Sequence, residues 1–322
     1  MGPKKNHRAM GMVAILVFLT SAGQAWAGTP NRRVAVTFDD VPGMNSGIMT
    51  GPQVLAMNTK LVDDLKAEKI PVIGFVNEYR LYHFGEVDER IHALSLWPDA
   101  GFDLGNHTFS HTSLNHSSLA DWEEDVLQGE TVTRMLMDQH HKTLQYFRYP
   151  YLDMGADLNT RREGEEFLAD HGYRIAPVTL DAWDWYFASV YADARNHNDT
   201  ALEEKVAKSW LEHSDQVFAY YEKKSRALFG YEPSQVLLLH DTWLEADHVT
   251  NLLALMRKRG YRFISLGEAL NDQAYASPDT YISDLGLSSI DHWAIAQGKP
   301  ELKGRPAIDQ WVQDKYNALA VK

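Results

Sequence analysis

Apolar and polar positions come in blocks, and the period of the blocks switches repeatedly along the chain. "RRVAVTF" (Arg32–Phe38), "IPVIGFV" (Ile70–Val76) and "SQVLLLH" (Ser234–His240) are short apolar runs of the kind a sheet buries on both faces. "GFDLGN", "QYFRYP", "YRIAPVTL" and "YRFISL" are further strands. Between them lie helical stretches. "QVLAMNTKLVDDLKAEK" sets Leu55, Leu61, Val62 and Leu65 at helical spacing, and "DERIHALSLW" reads as a second helix. "SLADWEEDVLQGETVTRMLMDQ" reads as one helix with Ser118 as its N-cap, because a serine hydroxyl accepts the free first-turn amides. Gly172, Gly230 and Gly260 close three more. The last fifty or so residues hold two short helical candidates that wrap the main body.

About seven strands alternating with helices predict parallel pairing with right-handed crossovers. Seven units point to a closed or nearly closed βα barrel, whose chemistry collects at the C-terminal ends of the strands. The 322 residues allow one large α/β domain with extensions. There is no repeat and no evident linker.

The chain contains no cysteine, which excludes disulfides, thiolate metal sites and cysteine nucleophiles. A transition-metal site must therefore use His, Asp or Glu. Residues 1–27 read as a signal peptide: Lys4, Lys5 and Arg8, an apolar run from Met10 to Leu19, then Ala25-Trp26-Ala27. The run is short of the roughly 20 residues that span a membrane. A mature start at Gly28, export to a secreted or periplasmic location and no stable membrane insertion after cleavage are expected. The full chain carries −13, and −16 without the three basic leader residues. Such an acidic body repels phosphate backbones, so nucleic acid is not an expected partner. Oligomeric state is not readable.

Candidate chemistry gathers at the strand ends. "TFDDVPG" places Asp39 and Asp40 after the first strand, and "DLGNHTFSH" places His107 and His111 one helical turn apart after the third. A His–x3–His pair alone is weak, and Asp–Asp–x–Pro–Gly alone is good turn chemistry. If they meet at one rim, Asp40, His107 and His111 make a three-ligand set with open positions, suited to Zn2+ and also to Co2+, Ni2+, Fe2+ or Mn2+. Arg148, in "FRYPY", needs a carboxylate partner if buried, and Asp39 is the natural one. "LDAWDW" offers Asp181, Asp184 and Trp185, and "LLLHDT" offers His240 and Asp241. Trp97, Trp122, Trp183, Trp185 and Trp243 are either sugar-stacking or core residues.

"TFDD", "HTFSH", "RYPY", "DAWDW" and "LLLHD" together resemble, in order and spacing, the motifs of the polysaccharide deacetylases, carbohydrate esterase family 4. The resemblance runs from roughly Arg33 to Leu270. It implies a distorted (β/α)7 barrel over residues 28–270, with residues 271–322 as a helical C-terminal extension packed on it. It implies a metal-dependent hydrolase that removes N-acetyl or O-acetyl groups from a glycan such as chitin oligomers, peptidoglycan or xylan. Carried over by position, Asp39 resembles the catalytic base, with Asp40, His107 and His111 as the metal ligands and Arg148 holding the base. The Tyr151 backbone amide would serve the oxyanion. Asp184 resembles the partner of the general acid His240, and Trp185 and Leu239 would line the acetyl-methyl pocket. Val41 and Leu152 stand where the family has glycine. Two other readings stay open: the same type of hydrolase acting on a non-polysaccharide amide or ester, and a non-catalytic glycan-binding protein.

Overall fold

A computed structural model describes residues 1–2, 31–284, 286–299 and 304–320. The signal-peptide reading falls almost entirely outside them. In chain order the elements are β1 (Arg32–Val41), α1 (Gly51–Ala67), β2 (Val72–Val76), α2 (Val87–Asp99), β3 (Asp103–Asn106), α3 (Leu119–Gln128), α4 (Thr131–Gln139), β4 (Tyr146–Phe147), α5 (Leu158–Asp170), β5 (Arg174–Ile175), β6 (Leu180–Asp181), α6 (Asp184–Asn196), α7 (Thr200–Phe229), β7 (Gln235–His240), α8 (Trp243–Lys258), β8 (Tyr261–Phe263), α9 (Leu266–Ala269), α10 (Ser289–Ala296) and α11 (Gln310–Ala320). Among the described residues no helix is long and apolar enough to cross a membrane.

The strands form one curled parallel sheet in the order β5-β4-β3-β2-β1-β7-β6, with β8 added to the start of β1. This is the expected (β/α)7-type barrel, open at one seam. The seam falls between β5 and β6, which are consecutive in the chain. The sequence reading had them as one strand, "YRIAPVTL". Pro177 lacks the N–H a central strand needs. The chain pairs with β4 up to Ala176, whose N–H reaches Phe147 O at 2.8 Å, and with β7 from Thr179, whose N–H reaches Val236 O at 3.0 Å.

Alternation along each strand sorts side chains into two layers. Val34, Val36, Phe38, Leu237 and Leu239 join the large core between sheet and helices. Ala35, Ile73, Phe75, Tyr146 and Val236 fill the barrel. Continuing these inward series toward the strand ends brings Thr37 and Asp39 on β1, His107 after β3, Arg148 after β4, and Leu238 and His240 on β7. An apolar plug thus carries a polar layer at the C-terminal rim.

Two helical expectations are refined. The long "SLADWEED…" stretch is two helices, α3 and α4, broken at Gly129. A Cβ there would sit 2.5 Å from both Phe109 N and Thr108 C. The Ser118 cap is present, its hydroxyl accepting from Asp121 N–H. Helix α6, which starts within "DAWDW", had no clear period in the sequence. Gly172 and Gly230 stop α5 and α7 as expected, at φ +78° and +79°.

Gly129 packs on the backbone of the loop that carries His107 and His111. Gly129→Ala is expected to cost about 1–3 kcal/mol, the usual range for overpacking, and to lower the thermal unfolding midpoint. An unchanged midpoint would contradict the close packing.

Candidate active site

The two adjacent carboxylates reach one site because β1 is irregular at its end. A regular strand would send Asp39 and Asp40 to opposite faces. The register of β1 against β2 shifts between Phe38 and Val41, and Asp40 adopts a left-handed backbone, φ 66°. A bulge of this kind re-aims a side chain, and here both carboxylates are buried at the rim.

Asp39 faces Arg148, and both are almost fully buried. The guanidinium donates from Nη1 to Asp39 Oδ1 at 3.1 Å and Oδ2 at 3.3 Å, from Nη2 to Thr37 Oγ1 at 3.1 Å, and from Nε to Ala176 O at 2.6 Å. Its flat face lies 4.5 Å from the centre of the Phe75 ring. Burial pushes the Asp39 carboxyl above its ordinary value, against the pull of Arg148 and His240. Asp39 is a carboxylate kept in place with an increased appetite for a proton.

Asp40 behaves oppositely. Burial opposes its charge, but Arg80 and the neighbouring histidines outweigh burial and hold the carboxyl well below the usual range. Arg80 Nη2 lies 3.2 Å from Asp40 Oδ1, an oxygen with no hydrogen-bond partner. The two histidines do not share a helix. His107 follows β3 and His111 lies on a loop, where Thr108 and His111 both take left-handed backbones, φ 64°. The loop folds the rings to a centroid distance of 4.9 Å. His107 Nδ1 donates to Arg148 O at 2.7 Å, because a carbonyl only accepts, so Nε2 is left with its lone pair. Asn77 holds this loop by donating to His107 O. Burial lowers both imidazoles to about 4, so each is neutral near pH 7.

Asp40, His107 and His111 each offer a ligand atom, and these atoms lie within 4.8 Å of one another. A buried anionic oxygen without a hydrogen bond, two neutral imidazoles and a fixed His107 tautomer fit a divalent cation. The second neutral nitrogen donor favours a borderline metal over Mg2+ or Ca2+.

Opposite stands His240, at the end of β7. Asp184, the first residue of α6, grips it twice, accepting from the His240 backbone N–H at 2.7 Å and from ring Nδ1 at 2.9 Å. Burial disfavours the imidazolium, but Asp184 prevails and raises the ring to about 10. The ring is therefore protonated at neutral pH, with Nε2 free of Asp184. Helix α6 starts from Trp183 in a left-handed conformation, φ 52°, and its N-terminus favours the Asp184 charge.

Asp39, Asp40, His107, His111 and His240 line one cavity of about 440 Å³, within the range of small-ligand sites. Tyr151, Leu152, Asp181, Trp183 and Trp185 also line it. Tyr151 and Leu152 both have left-handed backbones, φ 57° and 59°, and the Tyr151 ring packs on His111 at 4.4 Å. Leu152 thus occupies a backbone region that suits glycine best, whereas Val41 is an ordinary buried strand residue. Leu239 needs correction. It packs in the core behind the sheet, and Leu238 lines the cavity instead. The reason is the period of two: His240 faces the site, so its same-face neighbour is residue 238. Trp97 and Trp122 are core residues, and Trp183 and Trp185 face the cavity. Asp241 is buried, and burial pushes its carboxyl up to about 7, so it stands behind the site only partly charged near neutrality. Sequence reasoning also missed Asn77, Arg80 and Tyr316. Asn77 carried the same signal as the others, a polar residue directly after an apolar strand. Arg80 and Tyr316 carried none.

His111→Ala should lose stoichiometric metal after desalting, and His107→Ala and Asp40→Ala likewise. Metal per chain by mass spectrometry checks this. One tightly held ion per His111→Ala chain would break the ligand set.

A sequence model of the polysaccharide deacetylase family matches residues 27–175. That stretch contains Asp39, Asp40, His107, His111, Arg148 and Tyr151. The chain is 24% identical over 242 residues to a chitin deacetylase of Colletotrichum lindemuthianum, covering 74% of this chain and 79% of the relative. It is 25% identical over 175 residues to a peptidoglycan-N-acetylglucosamine deacetylase of Bacillus cereus, 54% of each protein, so it spans about half of that relative. In fold it is similar to the solved chitin deacetylase of C. lindemuthianum, with TM-score 0.51, 23% identity, and 76% and 89% of the two chains covered. It is also similar to a family pseudoenzyme from Bacillus anthracis, with TM-score 0.50, 16% identity, and 75% and 66% covered. That likeness shows the fold and leaves activity to the residues of the site. Over residues 27–175 the chain is thus similar in sequence to the polysaccharide deacetylases, and it shares the fold of a solved chitin deacetylase.

Proposed function

We propose that this chain is an exported, metal-dependent deacetylase that hydrolyses N-acetyl or O-acetyl groups of a glycan such as chitin oligomers, peptidoglycan or xylan. One observation carries the reading: a proton acceptor and a proton donor, each locked by its own buried partner, line the same cavity as the ligand triad. A protein that only bound glycans would have no use for that pair. Export is supported by the basic and apolar pattern of residues 1–27.

A divalent cation held by Asp40, His107 and His111, most simply Zn2+, supplies a Lewis acid and lowers the pKa of water toward about 7. The protein does the rest. Asp39 takes the proton of the attacking water, and Arg148 keeps its carboxylate aimed by two hydrogen bonds. The Tyr151 N–H, on its left-handed turn, serves the oxyanion, a kind of contact worth roughly 3–4 kcal/mol. His240 Nε2 delivers its proton to the departing nitrogen or oxygen, while Nδ1–H stays on Asp184. Leu238 and Trp185 face the acetyl methyl.

A second reading, a smaller acetylated amide or ester as substrate, is favoured by Leu152, whose side chain enters the cavity where the family has glycine. Acetate release across acetylated glycans and small acetamides separates the two, and no release from any of them would end both.

The division of labour gives a sharper test. Asp39→Asn should keep the metal and lower kcat by roughly 10²–10⁴ on amide and activated ester alike. His240→Ala should be severe on an acetamide, whose amine must be protonated to leave, and mild on an aryl acetate. Asp184→Asn removes the charge that raises His240. The ring then loses its proton at lower pH, so the alkaline limb of the pH–rate profile should move to lower pH. Equal His240→Ala losses on both substrates would take His240 out of the acid role.

A further inference from the structure

Residues beyond 270 lie outside the stretch that resembles the family, yet they build part of the cavity. The seam between β5 and β6 is where a groove across the barrel mouth would run out to solvent. The C-terminal segment fills it. Ser288 Oγ donates to Thr179 O at 2.8 Å, and Ser289 N–H donates to Val178 O at 2.7 Å, tying α10 to the two carbonyls of the seam. Just before them, Gly286 lies so close to the Tyr151 carbonyl that a Cβ would collide with it. Asn115 anchors the approach, donating from Nδ2 to Ser283 O and Asp284 Oδ1, both at 3.1 Å.

A second, separate anchor closes the same side. Tyr316 on α11 lines the cavity and packs edge-on against Trp185 at 5.3 Å. The Arg305 guanidinium lies 3.7 Å from the centre of the Trp183 ring and 3.9 Å from Asp181 Oδ2. On this side of the mouth Asp284 and Gly286, beside the Tyr151 turn, and Tyr316, beside the start of α6, all line the cavity. None of them comes from the strands that carry the chemistry.

A glycan bound through an internal sugar must leave the site in two directions, and one of them is walled. We propose that the C-terminal segment makes the site single-ended, so that it takes the terminal acetylated sugar of a glycan or a short oligosaccharide. This rests on the deacetylase reading above. Tyr316 and Arg305 are the specificity-determining residues. They touch the wall and not the reacting atoms.

The test uses the full chain and an N-acetylglucosamine pentamer labelled at its reducing end. Positions of deacetylation are read by tandem mass spectrometry. The unaltered protein should deacetylate one terminal unit at least about tenfold faster than internal units, the low end of what a pocket wall discriminates. The double variant Tyr316→Ala/Arg305→Ala should bring that ratio toward one. The ratio is internal to each sample, so partial loss of folded protein does not alter it. Even deacetylation along the pentamer by the unaltered protein overturns the inference and leaves the deacetylase reading standing. A terminal preference that persists in a folded double variant overturns the role of the wall. No acetate from the pentamer or from acetylated xylo-oligosaccharides sinks the deacetylase reading and this inference with it.

Discussion

The buried ion pair between Arg148 and Asp39 is the contact on which the barrel mouth depends. Arg148 spends its donors on β1, through Asp39 and Thr37, and on the seam, through Ala176 O. Its own carbonyl fixes the His107 tautomer. One residue thereby holds the Asp39 carboxylate, the His107 ring and the edge of the sheet. Removing one partner of such a pair leaves an uncompensated charge in the interior, a loss of about 3–5 kcal/mol. The two neighbouring carboxylates differ because of it. Asp39, paired with Arg148 in a dry interior, is pushed up, whereas Asp40 meets Arg80 and three histidines and is held down. Two like residues, adjacent in sequence, acquire different proton affinities from their environments.

Much of this was readable from strand ends. Asp39, Asp40, His107, Arg148 and His240 each follow an apolar run, and a polar group emerging from a core is conspicuous. What the strand rule could not supply was direction. Asp40 joins Asp39 only through a bulge and a left-handed residue, and His111 joins His107 through a loop and not a helical turn. Leu239 was misplaced for the converse reason. There the strand is regular, and its alternation puts Leu238 beside His240. Helix α6 escaped notice because it is buried on several sides, so its apolar residues show no single stripe. The split of "YRIAPVTL" was signalled by Pro177, but its consequence, an open seam, depends on which strands lie at the edges, and topology is not local information.

The seam explains the C-terminal extension. A barrel that fails to close leaves backbone carbonyls and a gap beside its active site. Here α10 and the residues before it satisfy two of those carbonyls, and α11 covers the start of α6. The same packing that covers the seam also places Gly286 and Tyr316 in the cavity lining. The Asp39, Asp40, His107, His111 and His240 side chains come from the barrel strands and the loops that follow them, and part of the pocket boundary comes from the C-terminal segment.

In the proposed function the Asp40–His107–His111 set and the Asp39/His240 pair act together on an acetyl group. The most direct measurement is acetate release from N-acetylglucosamine oligomers while the divalent cation is removed by a chelator and returned in known amounts. Release should fall to background when the cation is removed and recover in proportion to cation bound, saturating at one per chain. Undiminished release from metal-free protein, or none from protein carrying one cation per chain, would contradict it.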